Sequence, residues 1–130
     1  MLTDKISYIL TKIKNAAKVK HETVIFPFTK NFLSISRILK QEGFIKDFRI
    51  SQKNKKIIIL LKYKRISNNS TFKEIKQISK PSLHIYTSFN DISKKIDQIG
   101  ITLISTPKGI LTNKEAKKLH IGGEILCYIL

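Results

Sequence analysis

The sequence predicts an α+β fold of two small mixed lobes: an N-terminal α-β-α-β-β lobe and a C-terminal lobe that is mostly β with short helices. Three observations carry this. Apolar residues recur at helical spacing in two early segments, and runs rich in Ile, Leu and Phe between turn signals mark strands in both halves. Between the halves, Ser67-Asn68-Asn69-Ser70 is a polar, turn-prone stretch with no apolar anchor. The N-terminal lobe is therefore placed at 1–66, a linker at 67–71 and the C-terminal lobe at 72–130. With 130 residues in all, the chain can bury a core without staples.

Ile6, Ile9, Leu10, Ile13 and Ala17 form one apolar stripe, so an amphipathic helix is expected over Asp4 to Lys18, capped by Thr3. A short strand follows through Val24 to Phe26. Pro27 interrupts it, Thr29 can cap, and Phe32, Ile35, Ile38, Leu39 and Glu42 mark a second helix that Gly43 ends. Phe44 to Ile50 and Lys56 to Tyr63 read as a hairpin about a polar turn at 51–55. In the second lobe, Phe72 to Ser79 and Leu83 to Thr87 look extended, separated by Lys80-Pro81. A short helix is expected from Phe89 to a stop at Gly100, then a buried strand from Ile101 to Ser105. Thr112 with Glu115 three residues on is a capping-box pattern for a helix over Asn113 to Leu119. Glu124 to Leu130 is the last strand.

Charge points to the partner. Twenty-five Lys and Arg against nine Asp and Glu give a net charge of +16, an imbalance that a polyanion best neutralises. Nucleic acid is the leading partner class. The 42% hydrophobic content argues for a folded scaffold and against a disordered basic tail. Cys127 is the single cysteine, so neither an intramolecular disulfide nor a thiolate zinc site is expected, and a small buried thiol is its ordinary role. The longest apolar run, Ile57 to Leu61, is too short to span a bilayer. Neither a secretory apolar core nor an Arg- and Ser-rich transit segment follows Met1, so the expectation is a chain made in the compartment where it works. The abundance of Lys, Ile and Asn, with arginine only at 37, 49 and 65, fits an A+T-rich coding genome.

Catalytic patterns are scarce. His21, His84 and His120 lack ligand spacing and read as surface or RNA-facing histidines, Ser105 has no G-x-S-x-G elbow, and Gly122-Gly123 belongs to no phosphate loop. No enzyme activity, metal or cofactor is expected. Binding residues are more evident. Lys30, Lys80 and Lys108 lie at Pro- or Gly-marked turns, where an ammonium and free backbone N–H groups can meet phosphate together. Tyr86 ends an alternating strand and suits either edge packing or stacking on a base. Ser105, Thr106, Gly109, Gly122 and Gly123 combine hydroxyls with backbone that a partner can approach closely. Glu124 is the sharpest residue, a carboxylate in a contact loop of a strongly basic chain. It can accept from base amino groups, orient Ser105 and Thr106, or pair with a lysine.

At these residues the chain resembles the family of small-subunit ribosomal protein eight, of the bacterial and organellar type, and the likeness runs nearly end to end. It is carried by Leu10-Thr11-Lys12-Ile13-Lys14-Asn15-Ala16, by Ile38-Leu39-Lys40-Gln41-Glu42-Gly43-Phe44-Ile45, and by Ile78-Ser79-Lys80-Pro81-Ser82-Leu83-His84-Ile85-Tyr86. Ser105-Thr106-Pro107-Lys108-Gly109 and Gly122-Gly123-Glu124-Ile125-Leu126-Cys127-Tyr128 complete the pattern. The resemblance implies a primary rRNA-binding protein whose C-terminal lobe grips an irregular stem in the central domain of small-subunit rRNA during assembly. It implies RNA contacts from Lys30, Lys80, Pro81, Tyr86, Ser105, Thr106, Pro107, Lys108, Gly109, Gly122, Gly123 and Glu124, with neighbouring ribosomal proteins as further partners. Pro107 stands where the family usually has serine, His84 where it usually has arginine, and Leu130 where it usually has tryptophan. With the coding bias, these departures point to a plastid-encoded copy in the stroma, a bacterial one being the alternative. The rival of another class is an architectural DNA-binding protein; it needs base-reading Arg or Asn on a helix, or an apolar wedge.

Overall fold

Thr29 and Gly43 set the limits of the helix whose ends are best defined. The computed structural model describes residues 2–63, 72, 74–80, 82–88, 91 and 100–130. Helix α1 spans Leu2–Lys18 and α2 spans Lys30–Gln41. Thr29 Oγ1 accepts the Phe32 N–H at 3.1 Å, satisfying one of the orphan donors of the first turn. At the other end Gly43 has φ +81°, which places the Phe44 N–H on the Leu39 carbonyl at 2.9 Å. The start of α1 differs from expectation. It begins at Leu2, so Thr3 lies inside the first turn, where it cannot act as the extended residue ahead of a helix.

Residues 9–73 make one compact unit, and residues 1–8 with 74–130 make the other. In the first, strands β1 (Thr23–Pro27), β2 (Ile45–Ser51) and β3 (Lys56–Leu61) form an antiparallel sheet in the order β1-β3-β2. Strand alternation puts Val24 and Phe26 on the buried face with Ile57 and Ile59. Phe32, Ile35, Ile38 and Leu39 on the inner face of α2 are buried as well. Phe26 and Phe32 meet edge to face with centroids 5.8 Å apart.

The second unit is a sheet of five strands among the described residues: β4 (Ile75–Gln77), β5 (Tyr86–Thr87), β6 (Ile101–Thr106), β7 (Gly109–Thr112) and β8 (Gly123–Ile129). Strand β8 is its hub. It pairs with β6 along one edge, and with β4 and then β5 along the other. The expected extended segments Phe72 to Ser79 and Leu83 to Thr87 shrink to β4 and β5 as regular strands. Between them Lys80 and Leu83 exchange both backbone hydrogen bonds, at 2.9 and 3.0 Å, which folds the chain away from β8. Buried Ser79 fastens the base of that excursion by accepting the Ile85 N–H at 3.0 Å. Strand β7, unanticipated, makes a hairpin with β6. Its last residue, Thr112, caps α3 (Asn113–Lys118) by accepting the Glu115 N–H at 3.2 Å. The linker placed at 67–71, the helix placed between Phe89 and Gly100, and Pro81 lie outside the described residues.

Leu103 and Cys127 are register partners, both fully buried. Burial pushes the Cys127 thiol up to about 12, against a weaker opposing hydrogen bond from the Leu103 backbone. The thiol is thus neutral in the folded chain and has a pKa of about 8.5 when unfolded. A raised acid pKa favours the fold below the unfolded value, so this contribution declines as pH climbs from about 8.5 towards about 12. A maleimide or disulfide reagent at about pH 8 is expected to spare Cys127 until urea opens the core. Fast modification of the native chain contradicts this packing.

Candidate nucleic-acid interface

The register of β8 assembles the central row of the candidate site. Glu124 is paired with Tyr86 on β5 and with Ser105 on β6. Direct partners in antiparallel strands share a face, so an aromatic ring, a carboxylate and a hydroxyl stand side by side across three strands. Tyr86 is 70% exposed, a poor fit to edge packing and a good one to a stacking platform. Among the described residues the Ser105 hydroxyl meets no hydrogen-bonding partner.

The Glu124 carboxylate does have one. Its Oε1 lies 2.8 Å from Nδ1 of His84, the residue two positions before Tyr86. The partner is therefore a histidine, where a lysine was one sequence expectation. The pair is partly shielded, with side-chain exposures of 17% for Glu124 and 38% for His84. No sequence spacing announced this contact, because the two residues are 40 positions apart.

The turn beyond Ser105 is built by its own side chains. Thr106 Oγ1 donates to the Gly109 carbonyl at 2.8 Å and accepts the Lys108 N–H at 3.2 Å. Pro107 occupies a turn position where its fixed φ suits the bend. Gly109 has φ +111°, a value that L side chains rarely adopt. Pro107 and Lys108 are left exposed at the tip, just past the row. Thr106 is nearly buried, and its hydroxyl shapes the loop.

Gly123 has an internal reason as well. A Cβ there would stand 2.1 Å from the Ser105 carbonyl oxygen, so its missing side chain lets β6 lie against β8 at the row itself. Gly122 precedes it and leads into the strand. Lys80 is exposed at the base of the excursion that ends in β5. The structure thus gathers Tyr86, Ser105 and Glu124 into one row, with the Thr106–Gly109 turn continuing from Ser105. Lys30, exposed in the first turn of α2, belongs to the other unit.

Among the described residues no three His, Cys, Asp or Glu side chains cluster as metal ligands, and no helix is long and apolar enough to cross a membrane. The arrangement offers stacking, hydrogen bonding and cationic charge.

The family described as Ribosomal protein S8 matches residues 4–130. The chain is 46% identical over 131 residues to the small ribosomal subunit protein uS8c of Trieres chinensis, covering 99% of both chains. It is 47% identical over 131 residues to uS8 of Mycoplasmopsis pulmonis, with 99% of this chain and 98% of that one covered. Against uS8 of Synechocystis the identity is 43% over 129 residues, with 98% and 97% covered. Plastid-type and bacterial proteins thus stand at similar distance. With its family's pattern matched almost end to end, this chain, a structural ribosomal protein and not an enzyme, belongs to the ribosomal protein S8 family.

Proposed function

We propose that this constituent of the small ribosomal subunit is a primary rRNA-binding protein that grips an irregular stem in the central domain of small-subunit rRNA and supports assembly. The observation that carries the reading is the Tyr86, Glu124 and Ser105 row beside a lysine-tipped turn. Irregular RNA displays what such a row recognises: a splayed base to stack on Tyr86, amino groups for the Glu124 carboxylate, and 2′-hydroxyls for Ser105. Lys108 and Lys80 then meet phosphate, which adds affinity without sequence information. Lys30 meets other rRNA or a neighbouring ribosomal protein. The strong Lys and Ile bias favours a plastid ribosome in the stroma over a bacterial one.

A duplex-DNA architectural protein is the reading of a different class. The first helix carries lysines and no arginine, so it lacks the bidentate guanine contact most common among major-groove readers. Titrations of the full chain against a small-subunit stem and against duplex DNA, each at several salt concentrations, separate the two. Tighter binding to the stem at every salt is expected; equal affinity sinks the rRNA reading. In the same series Lys108→Ala should lower the salt slope by about one phosphate contact's worth. An unaltered slope removes Lys108 from the phosphate contacts.

A further inference from the structure

The sequence read His84 only as a surface or RNA-facing histidine, and the structure bonds it to the carboxylate at the centre of the candidate interface. An ionised carboxylate only accepts hydrogen bonds, so the proton of the pair sits on Nδ1. In a neutral ring this leaves Nε2 a bare lone pair, an acceptor. Among the described residues Nε2 has no partner, and the side chain is 38% exposed. RNA presents such a site mainly with acceptors of its own, chiefly phosphate oxygens and base carbonyls. Two facing lone pairs repel. A second proton on the ring turns Nε2 into a donor and creates an imidazolium that Glu124 neutralises on one side and RNA on the other.

We propose that His84 and Glu124 form one proton-binding unit of the interface, so that RNA binding is coupled to protonation of His84. The inference rests on the rRNA reading above. The titratable and charged groups on the segments nearest His84 in the sheet are Tyr86 on β5, Glu124 and Tyr128 on β8, and Lys76 on β4, the last two paired with each other towards the far end of β8. Lys80 lies in the excursion before His84 and Lys108 in the β6–β7 turn. Glu124 is the one recorded at bonding distance from it among the described residues. The linkage has a definite sign: a ring that binds a proton more tightly in the complex makes the complex tighter as pH falls.

The test is the affinity of the full chain for the rRNA stem at fixed salt, between about pH 7.5 and about pH 5.5, a span over which histidine side chains in general change charge. The wild-type chain is expected to tighten roughly tenfold over that range, the effect of one charge-assisted hydrogen bond. His84→Gln retains an amide donor for Glu124 but has no titrating group, and should lose most of that dependence. His84→Arg carries a permanent charge and should bind at both pH values about as the wild type does at the lower one. His21 and His120 are present in all three chains, so their titration is common to each. A pH dependence equally steep in the wild type and His84→Gln overturns the proposal while leaving the rRNA reading intact. Failure of the wild type to prefer the stem over duplex DNA overturns both.

Discussion

Replacing Gly123 with alanine is expected to destabilise the chain by about 3 kcal/mol, a large effect for one methyl group. The cause is steric. The new Cβ would start 2.1 Å from the Ser105 carbonyl oxygen, and that atom is backbone in a paired strand, unable to swing aside like the end of a side chain. Strands β6 and β8 must part where Ser105 and Glu124 face each other. Gly109→Ala is the informative comparison. Nothing lies within 4 Å of a Cβ there, so only the strained φ of +111° is felt, at roughly 1–2 kcal/mol. Urea midpoints for the two variants measure the difference. Equal losses would mean that β6 and β8 are less tightly apposed than the geometry requires. Any Gly123→Ala chain that still folds should bind rRNA poorly, because the central row is pulled apart.

Glu124→Ala is expected to weaken binding to the rRNA stem by roughly 1–3 kcal/mol while leaving the salt slope unchanged. The carboxylate releases no counterion on binding, so its loss is a loss of specific acceptor bonds and not of phosphate neutralisation. Two further effects act in the same direction. His84 loses the partner that fixes its ring, and Tyr86 loses its cross-strand neighbour. Filter-binding or fluorescence titrations over a salt series report affinity and slope together. Unchanged affinity would make Glu124 a purely structural partner of His84; a changed slope would show that net charge, not recognition, is its contribution.

Local signals were legible where a residue acts on its immediate neighbours. Thr29 and Thr112 cap the helices that their sequence contexts announced, because a cap reaches only three residues along the chain. Gly43 ends α2 for the same reason. Strand β7 was missed because Gly109-Ile110-Leu111-Thr112 is too short for alternation to speak, and only its pairing with β6 makes it a strand. The brevity of β4 and β5 was equally hidden, since the turn at Lys80 and Leu83 competes with ladder formation. Sequence chemistry singled out Tyr86, Ser105 and Glu124 as candidates but not their row, which exists only through the register of β8. Gly123 read as room for a partner, and the room is taken by the Ser105 carbonyl. Thr106 read as a contact, and its hydroxyl also donates to and accepts from its own turn. The His84 and Glu124 pair lay beyond any local pattern.

The position of β8 as hub also sets an order of events in time. Strands β4, β5 and β6 precede it in the chain, and among the described residues none of these three strands pairs with another of them. As the polypeptide is synthesised, the strands bearing Tyr86 and Ser105 emerge early with open edges, and they are joined only when residues 123–129 arrive. The other unit, complete by residue 73, meets no such delay. A nascent chain can thus hold one finished half while Tyr86 and Ser105 still lack the single strand that sets them in one row.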